Sequence, residues 1–160
     1  MASVPEKYIP QSLTKKDKLK QKTQLKKSRS DYKRNKYHTR KKVTSFTSKV
    51  SPHILKAIST YNVTRVLPNK KLSKATKCSI SSLQKIVKKG QGAYFSSGSR
   101  PNQTGHSWGI ARLASAITGG KASVVDINIL KKGCKKNSKA LKFAKKASKQ
   151  KTQKVKKIKL

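Results

Sequence analysis

The chain has 160 residues, of which 42 are Lys or Arg and only 4 are Asp or Glu, so its formal net charge is +38. Such a charge makes a compact domain repel itself unless a polyanion or an acidic partner neutralises it. With four carboxylates, paired-carboxylate catalysis and carboxylate cages for Mg²⁺ or Ca²⁺ are disfavoured. Leu, Ile, Val and Phe total 33 residues, which suffices for one small core and not for two.

The two cysteines, Cys78 and Cys134, are 56 residues apart, with no CxxC or Cys/His spacing. A zinc site is therefore not predicted. Residues 1–10 contain no apolar signal-peptide segment, and no apolar run reaches the length of a membrane span. We therefore interpret both cysteines as reduced thiols of an intracellular protein, with a structural disulfide as the less favoured alternative.

Charge and apolar residues divide the chain into three segments. Residues 1–42 carry 15 basic and 3 acidic residues, residues 43–130 carry 13 and 1, and residues 131–160 carry 14 and none. Most of the large aliphatic residues lie in the middle segment. We predict a basic N-terminal arm (1–42), a small globular core (43–134) and a lysine-rich C-terminal tail (135–160). The expected fold class is mainly α, with at most a short strand or two, flanked by long, extended basic arms.

The N-terminal arm shows no regular apolar periodicity. Leu13, Leu19 and Leu25 recur every six residues, which fits neither a helix nor a strand. We therefore expect a solvated arm that becomes ordered on a partner. Aromatic rings among basic residues either stack on nucleic-acid bases or fill a pocket of a partner protein. The arm contains three such residues: Tyr8, Tyr32 and Tyr37.

Capping residues predict the first elements of the core. Ser51 followed by Pro52 marks the start of one helix. Residues 63–67 alternate in the manner of a short strand. An SxxQ capping box from Ser81 predicts a second helix, which Gly90 is expected to end.

The later elements are predicted in the same way. Thr104 caps a helix over about residues 105–118, and two glycines follow it. Ser123 and Asp126 form a second capping box, so we interpret Asp126 as a capping residue and not as a catalytic acid. In the tail, Ser138 caps a segment whose lysines repel one another, which makes a helix marginal in free solution.

The sequence SGSRPNQT (residues 97–104), here called the SGSRPNQT loop, has the composition of an anion-binding turn. Phosphate-loop patterns such as GxxxxGK[ST] and GxGxxG are absent. The alternative is that the loop's polar side chains hydrogen-bond its own backbone. The candidate anion-binding or partner-binding residues are Ser97, Ser99, Arg100, Asn102 and Gln103.

No catalytic constellation is predicted. His106 and Ser107 are adjacent, but a Ser–His pair needs an orienting acid, and Asp126 is assigned to capping. Trp108 is expected to be a core residue.

The chain has 36 Lys and only 6 Arg, and lysine is a flexible point charge that suits sequence-independent contact with DNA, RNA, anionic lipid or acidic protein. We therefore predict a protein without enzymatic activity, cofactor or metal.

One stretch resembles a known family. The motif consists of GAYFSSGSRPNQT (92–104), Trp108, ARLA (111–114) and GGK (119–121). It resembles a small uncharacterised domain family carried by nucleocytoplasmic large DNA viruses of algae and amoebae and by some tailed phages. The similar part covers residues 80–134, and both basic arms lie outside it. The resemblance implies viral origin and an α-rich core, and it transfers no catalytic role.

Short polybasic proteins of such viruses are often virion components. We therefore predict a minor capsid protein that acts as internal cement in a large icosahedral DNA virus. It would be assembled in the host cytoplasm and lie on the inner side of the capsid, with its arms bridging other major and minor capsid proteins. The predicted apolar anchors in partner grooves are Leu13, Leu19, Leu25, Leu141 and Phe143.

Two alternatives stay open. The lysine-rich arms would also reach the inner membrane surface or viral DNA, so the protein is alternatively a histone-like, sequence-independent DNA-binding protein that condenses the viral genome. The third alternative, a small enzyme built around the SGSRPNQT loop, has the least support. No small-molecule substrate is expected.

Overall fold

The computed structural model describes residues 2–150 and 154–160 of the chain. Within these ranges the fold is mainly α, as the sequence predicts. A short antiparallel sheet pairs β1 (Ser3–Pro5) with β2 (Lys157–Lys159), and Glu6–Tyr8 forms a 3-10 turn. The helices are α1 (Lys15–Lys33), α2 (Pro52–Tyr61), α3 (Lys70–Thr76), α4 (Ile80–Ser96), α5 (Gly105–Ile117), α6 (Lys121–Val125), α7 (Ile127–Gly133) and α8 (Lys139–Ser148). In the same ranges, no helix has the length and apolar character that a membrane span requires.

The chain forms two compact units. Unit 1 comprises Met1–Lys49, Gln91–Trp108 and Gln153–Leu160, and unit 2 comprises Val50–Gly90 and Gly109–Thr152. Each unit has its own cluster of buried apolar side chains. The expectation of a single core in residues 43–134 is therefore wrong, because the N-terminal segment and the middle of the chain share a core in unit 1.

Unit 1 is built around α1, so the N-terminal segment is not an extended arm. The Thr14 hydroxyl caps α1 by accepting a hydrogen bond from the Asp17 N–H at 3.2 Å. The buried face of α1 consists of Asp17, Gln21, Leu25 and Ser28, which lie four or three residues apart. Hydrophobic periodicity could not reveal this helix, because three of the four buried residues are polar.

A small cluster of apolar side chains forms the core of unit 1 and includes Leu25 from the buried face of α1. Its buried members are Val4, Ile9, Leu13, Leu25 and Val43. Ile158, on β2, packs against the same cluster, and β2 pairs with β1. The end of the lysine-rich tail therefore belongs to the same unit as the N-terminal segment.

Unit 2 contains the larger core. The Tyr61 hydroxyl, at the end of α2, donates a hydrogen bond to the Ile117 carbonyl. Residues 63–67 form no strand: Asn62 takes a left-handed conformation (φ 50°) that ends α2, and an irregular connection leads to α3. The fully buried large aliphatic residues of this core are Leu72, Leu83, Ile86, Leu113, Ile117 and Leu130.

Helix α4 differs from its prediction at both ends. Ser79, not Ser81, caps it, since its hydroxyl accepts a hydrogen bond from the Ser82 N–H at 3.2 Å. Gly90 does not end the helix, which continues to Ser96. A Cβ at Gly90 would lie 2.6 Å from the Gly109 Cα. Gly90 therefore permits the close approach of α4 and α5 instead of ending a helix.

The predicted caps of α5 and α8 are confirmed. The Thr104 hydroxyl accepts a hydrogen bond from the Ser107 N–H at 3.1 Å, and the Ser138 hydroxyl accepts one from the Leu141 N–H at the same distance. Helix α5 ends before Gly119, whose φ of +78° is left-handed. Because α8 packs against α6 and α7, residues 139–148 are not an extended tail.

The cysteines are joined in a disulfide between Cys78 and Cys134, so the prediction of reduced thiols is wrong. The two residues face each other in an antiparallel bridge. Flanking hydrogen bonds run from the Ser79 N–H to the Gly133 carbonyl at 2.8 Å and from the Lys135 N–H to the Lys77 carbonyl at 2.9 Å. The backbone pairing brings the cysteines together, which their separation of 56 residues could not indicate.

The first prediction concerns the two glycines inside α4. Gly90→Ala should lower the free energy of unfolding by about 1–3 kcal/mol, because the added methyl meets backbone. Gly92→Ala is the matched control, since nothing lies within 4 Å of a Cβ at that position, and it should be neutral or stabilise by up to about 1 kcal/mol. Urea unfolding measures both. If the two substitutions change the free energy of unfolding equally, the close approach of α4 and α5 at Gly90 is contradicted.

The second prediction concerns the disulfide. Closing a loop of 56 residues stabilises the folded state by about 4 kcal/mol in the chain-entropy description. Reduction, or the double variant Cys78→Ser with Cys134→Ser, should therefore shift the urea midpoint strongly downward. Adding reductant to the double variant is the control and should change nothing. A wild-type midpoint that is insensitive to reductant would show that the disulfide does not stabilise unit 2.

Candidate functional site

All four carboxylates have partners within their own unit. Asp126 is fully buried and accepts hydrogen bonds from Arg112 Nε and Nη2, each at 2.8 Å, and from Lys89 Nζ at 3.1 Å. It makes no capping hydrogen bond, so the capping role predicted for it is wrong. Ser123 does not cap either, because its hydroxyl donates to the Gly120 carbonyl at 2.6 Å.

Asp126 is therefore the counter-charge of a buried ion pair in unit 2. Burial alone would raise the pKa of Asp126, but the hydrogen bonds and positive charges of Arg112 and Lys89 outweigh it and lower the pKa below its usual 3.8. The carboxylate stays ionised at neutral pH. The contact that replaces the predicted cap is an ion pair with Arg112 and Lys89.

The other three carboxylates are used in unit 1. Asp17 accepts hydrogen bonds from the N–H and the hydroxyl of Ser45, and these bonds lower its pKa. Asp31 pairs with Arg34 at 2.7 Å. Glu6 lies 3.6 Å from Lys156 Nζ. Four carboxylates with internal partners leave most of the positive charge to face solvent.

The uncompensated charge is spread over both units. Unit 1 contains 21 basic and 3 acidic residues, and unit 2 contains 21 basic and 1 acidic. On α8, the buried side holds Ala140, Leu141 and Ala144. The exposed lysines of this helix and its C-terminal cap are Lys139, Lys142, Lys145, Lys146 and Lys149. Those of α1 are Lys15, Lys16, Lys26, Lys27 and Lys33. Each helix thus carries a row of cations on a folded scaffold.

A buried guanidinium joins the N-terminal segment to the SGSRPNQT loop in unit 1. Arg40 is 6% exposed, and its Nη1 donates to the Ser28 hydroxyl and the Tyr94 carbonyl, both at 2.8 Å. Its Nη2 donates to the Ser99 hydroxyl at 2.8 Å. The guanidinium carbon lies 3.8 Å from the centre of the Tyr94 ring. We call Arg40, Ser28, Tyr94 and Ser99 the Arg40 network.

The Arg40 network holds a cation without a carboxylate. Burial lowers the pKa of Arg40, while Tyr94 and Tyr8 favour the charged form. Neutral acceptors and an aromatic face replace the counter-ion, which suits arginine because its guanidinium is planar and always charged. Arg40 is not among the site residues predicted from the sequence. The available signal was an arginine in a segment that otherwise uses mostly lysine.

Three candidate residues of the SGSRPNQT loop have hydrogen-bond partners within unit 1. Asn102 accepts from the Val43 N–H at 2.8 Å and donates to the Val43 and Phe46 carbonyls. Ser99 is buried and donates to the Arg100 carbonyl. Gln103 accepts from the Ser107 hydroxyl at 2.7 Å. Of these three residues, only Ser99 bonds the loop's own backbone. Asn102 and Gln103 bond residues outside the loop, so neither the anion site nor the self-bonded loop describes them.

The rest of the loop lies closer to solvent. Arg100 is exposed, and the Ser97 carbonyl accepts from Arg29 at 3.1 Å. Ser107 belongs to the cap of α5 through its hydrogen bonds with Thr104 and Gln103, and it is not paired with His106 in the hydrogen bonds of the described chain. Trp108 is half-buried, with its ring edge-to-face against Tyr8 at 5.8 Å.

The predicted partner anchors are mostly unavailable to a partner. Leu13, Leu25 and Leu141 are buried in their own units, so their assignment as anchors is wrong. Phe143 is half-buried, and its ring centre lies 5.6 Å from Lys56 Nζ. Leu19 is 68% exposed. Of the five predicted anchors, it has the side chain that is most accessible to a partner.

An exposed group of rings is the other conspicuous feature of unit 1. Tyr32 and Tyr37 have ring centres 6.1 Å apart, and Tyr37 and Phe95 have centres 5.3 Å apart. Phe95 also contacts the buried Tyr94 ring at 5.0 Å. We call Tyr32, Tyr37 and Phe95 the aromatic cluster.

In the described ranges, no group of His, Cys, Asp and Glu side chains has the geometry of a metal site.

Comparison with known proteins identifies the family. The chain matches the Family of unknown function (DUF5824) over residues 5–132 and therefore belongs to it. The match includes the N-terminal segment that sequence analysis placed outside a family-like part of 80–134, and the folding of α1 into unit 1 agrees with this wider extent. Neither a curated protein nor a solved structure matches the chain.

The third prediction concerns Asp126. Asp126→Asn should destabilise the fold by about 2–4 kcal/mol at pH 7, since two cations lose their counter-charge but keep some contact with water. Because the pKa of Asp126 is lower in the folded state, its carboxylate stabilises the fold fully at pH values above its ordinary pKa of 3.8. This stabilisation is lost as the pH falls through the pKa of the folded state. The variant should lack that acid-dependent change in urea unfolding from about pH 5 downward.

Asp31→Asn is the matched control, because the Arg34 side chain in that pair is 64% exposed. It should cost no more than about 1 kcal/mol. If both variants lose equally little stability at pH 7, the buried ion pair is not important for unit 2.

Proposed function

We propose that this protein is a non-enzymatic polycation that binds the phosphate backbone of nucleic acid without sequence preference. The observation that supports this most directly is the pairing of all four carboxylates inside the fold while rows of lysines on α1 and α8 stay exposed. Phosphate contacts by lysine release counter-ions from the nucleic acid and so favour binding to any sequence.

The chemistry of the exposed side chains supports the same partner. Reading of base edges relies on bidentate Arg, Asn or Gln contacts. Four of the six arginines make hydrogen bonds to other described residues: Arg40 in its network, Arg112 on Asp126, Arg34 on Asp31 and Arg29 on the Ser97 carbonyl. The exposed lysines of α1 and α8 are point charges without such directionality. This distribution favours backbone contact over sequence readout.

The resemblance of residues 92–121 to proteins of large DNA viruses suggests where such binding would be used. A polycation of this kind would condense or organise the genome inside the virion. The alternative that sequence analysis placed second therefore becomes the first proposal, because the folded N-terminal segment removes the extended arm and the buried leucines remove most of the anchors.

A minor capsid role is the second candidate. Leu19 lies among the lysines of α1 with 68% of its surface exposed, which suits an apolar contact with a neighbouring protein. Such a protein would act as a rigid internal cement block that meets acidic patches of capsid proteins. Cross-linking of lysines in purified particles separates the candidates, since one yields nucleic-acid adducts and the other yields capsid-protein adducts.

The fourth prediction concerns binding to duplex DNA. The isolated chain should bind two unrelated duplexes with equal affinity, and the affinity should fall about 10³–10⁵-fold between 50 and 200 mM salt if 6–10 phosphates are contacted. Fluorescence anisotropy at several salt concentrations measures both. A variant with Lys142→Gln, Lys145→Gln and Lys149→Gln should show a shallower salt dependence. The logarithmic slope should change by about 0.9 for each phosphate that the variant no longer neutralises.

Two outcomes would contradict this proposal. One is strong preference for one duplex that persists at high salt. The other is a failure to bind either duplex at low salt, which would favour the capsid role.

A further inference from the structure

The aromatic cluster has a local cause in the chain. Asn35 takes a left-handed conformation (φ 58°) directly after α1. The Asn35 N–H donates to the Tyr32 carbonyl at 3.0 Å, and the Lys36 N–H donates to the Asp31 carbonyl at 2.9 Å. This tight reversal returns the chain toward the helix and places the Tyr37 ring near the Tyr32 ring.

One side of the aromatic cluster packs on a buried ring, and the other side is exposed to solvent. Phe95 contacts Tyr94, which is fully buried and covers the Arg40 guanidinium. By contrast, Tyr32 is 38% exposed and Tyr37 is 69% exposed. Tyr37 therefore contacts two rings through part of its surface and presents the remainder to solvent. A large ring held on such a support has little conformational entropy to lose when it binds.

The surroundings of the cluster are strongly basic. Residues 29–42 contain 7 basic residues and 1 acidic residue, Asp31, and Asp31 is paired with Arg34. Lys33 and Lys36 flank the two tyrosines in sequence and are exposed. Exposed aromatic rings beside basic side chains are the combination that binds single-stranded nucleic acid, where rings stack on bases and cations meet phosphates.

We propose that the aromatic cluster is a base-stacking site for single-stranded nucleic acid, with Tyr37 as its principal platform. The inference deepens the proposed function and rests on it: nucleic acid is the partner, and this site adds a preference for unpaired bases. A duplex cannot use the site in the same way, because its bases are already stacked on one another. An acidic protein segment could use the charges, but not the ring faces in the manner of bases.

The central comparison in the test is between two single strands of equal charge. The full chain is titrated with labelled oligothymidine of about 16 nucleotides, with an abasic strand of the same length, and with a duplex. Wild type should bind oligothymidine more tightly than the abasic strand. Tyr37→Ala should weaken oligothymidine binding about 10-fold and leave binding of the abasic strand and the duplex unchanged. Tyr37→Phe should retain wild-type affinity, since it keeps the ring.

Leu19→Ala is the matched control, because Leu19 is also in unit 1 and its exposure of 68% is close to the 69% of Tyr37. It should leave all three affinities unchanged. The wild-type comparison of oligothymidine with the abasic strand needs no variant, so the proposal is testable even if Tyr37→Ala fails to fold.

Two results would overturn the stacking site while leaving the proposed function intact. In one, wild type binds the abasic strand as tightly as oligothymidine. In the other, Tyr37→Ala weakens binding of the duplex and the single strand equally. If Tyr37→Ala instead weakens only the binding of a polyglutamate probe, the cluster is a contact for acidic protein and the stacking site is wrong. If wild type binds no nucleic acid at all, the proposed function fails together with this inference.

Discussion

The shortage of negative charge is the constraint on which the rest of this structure depends. With 42 cationic side chains and 4 carboxylates, the fold cannot neutralise itself by ion pairing. The two units hold their least exposed cations in different ways. In unit 2, the buried carboxylate of Asp126 pairs with Arg112 and Lys89, whose side chains are 20% and 50% exposed. In unit 1, Arg40 is held without a carboxylate by hydroxyl and carbonyl acceptors and the Tyr94 ring. Most of the remaining cations stay on the surface.

Local signals in the sequence predicted part of the local structure, since two of the predicted caps form and those at Ser81 and Ser123 do not. Thr104 and Ser138 were identified as caps because a hydroxyl that satisfies the first turn of a helix acts within three residues. The mainly helical fold followed from the same signals. Helix α1 was missed because its buried face carries Asp17, Gln21 and Ser28. Each of these is satisfied by a long-range contact, such as the hydrogen bond from Gln21 to the Tyr8 carbonyl.

The features that sequence analysis missed depend on pairs of residues far apart in the chain. Arg40 meets Ser99 across 59 positions, and the disulfide joins residues 56 positions apart. Gly90 was interpreted as a helix end, although its role is to let the backbone at Gly109, on another helix, approach closely. In the SGSRPNQT loop, composition indicated polar contacts correctly but could not tell whether Asn102 would meet a ligand or the Val43 backbone.

The folding of the N-terminal segment changes how the basic residues would act. A solvated arm presents its lysines at variable positions and loses conformational entropy on binding. Lysines on α1 and α8 are instead fixed in rows by helices with buried faces. The proposed role of the aromatic cluster depends on the same order, since the reversal at Asn35 and the support from Phe95 both require folded unit 1.

The most direct test of this account is the melting temperature of the full-length chain as single-stranded and duplex DNA are added at low salt. Anything that binds the folded state better than the unfolded state raises the melting temperature as its concentration increases. The account predicts such a rise, because the folded helices hold the cations in fixed rows. A melting temperature that stays constant or falls, in spite of tight binding, would show that charge alone attracts the nucleic acid and would contradict a binding surface built by the fold.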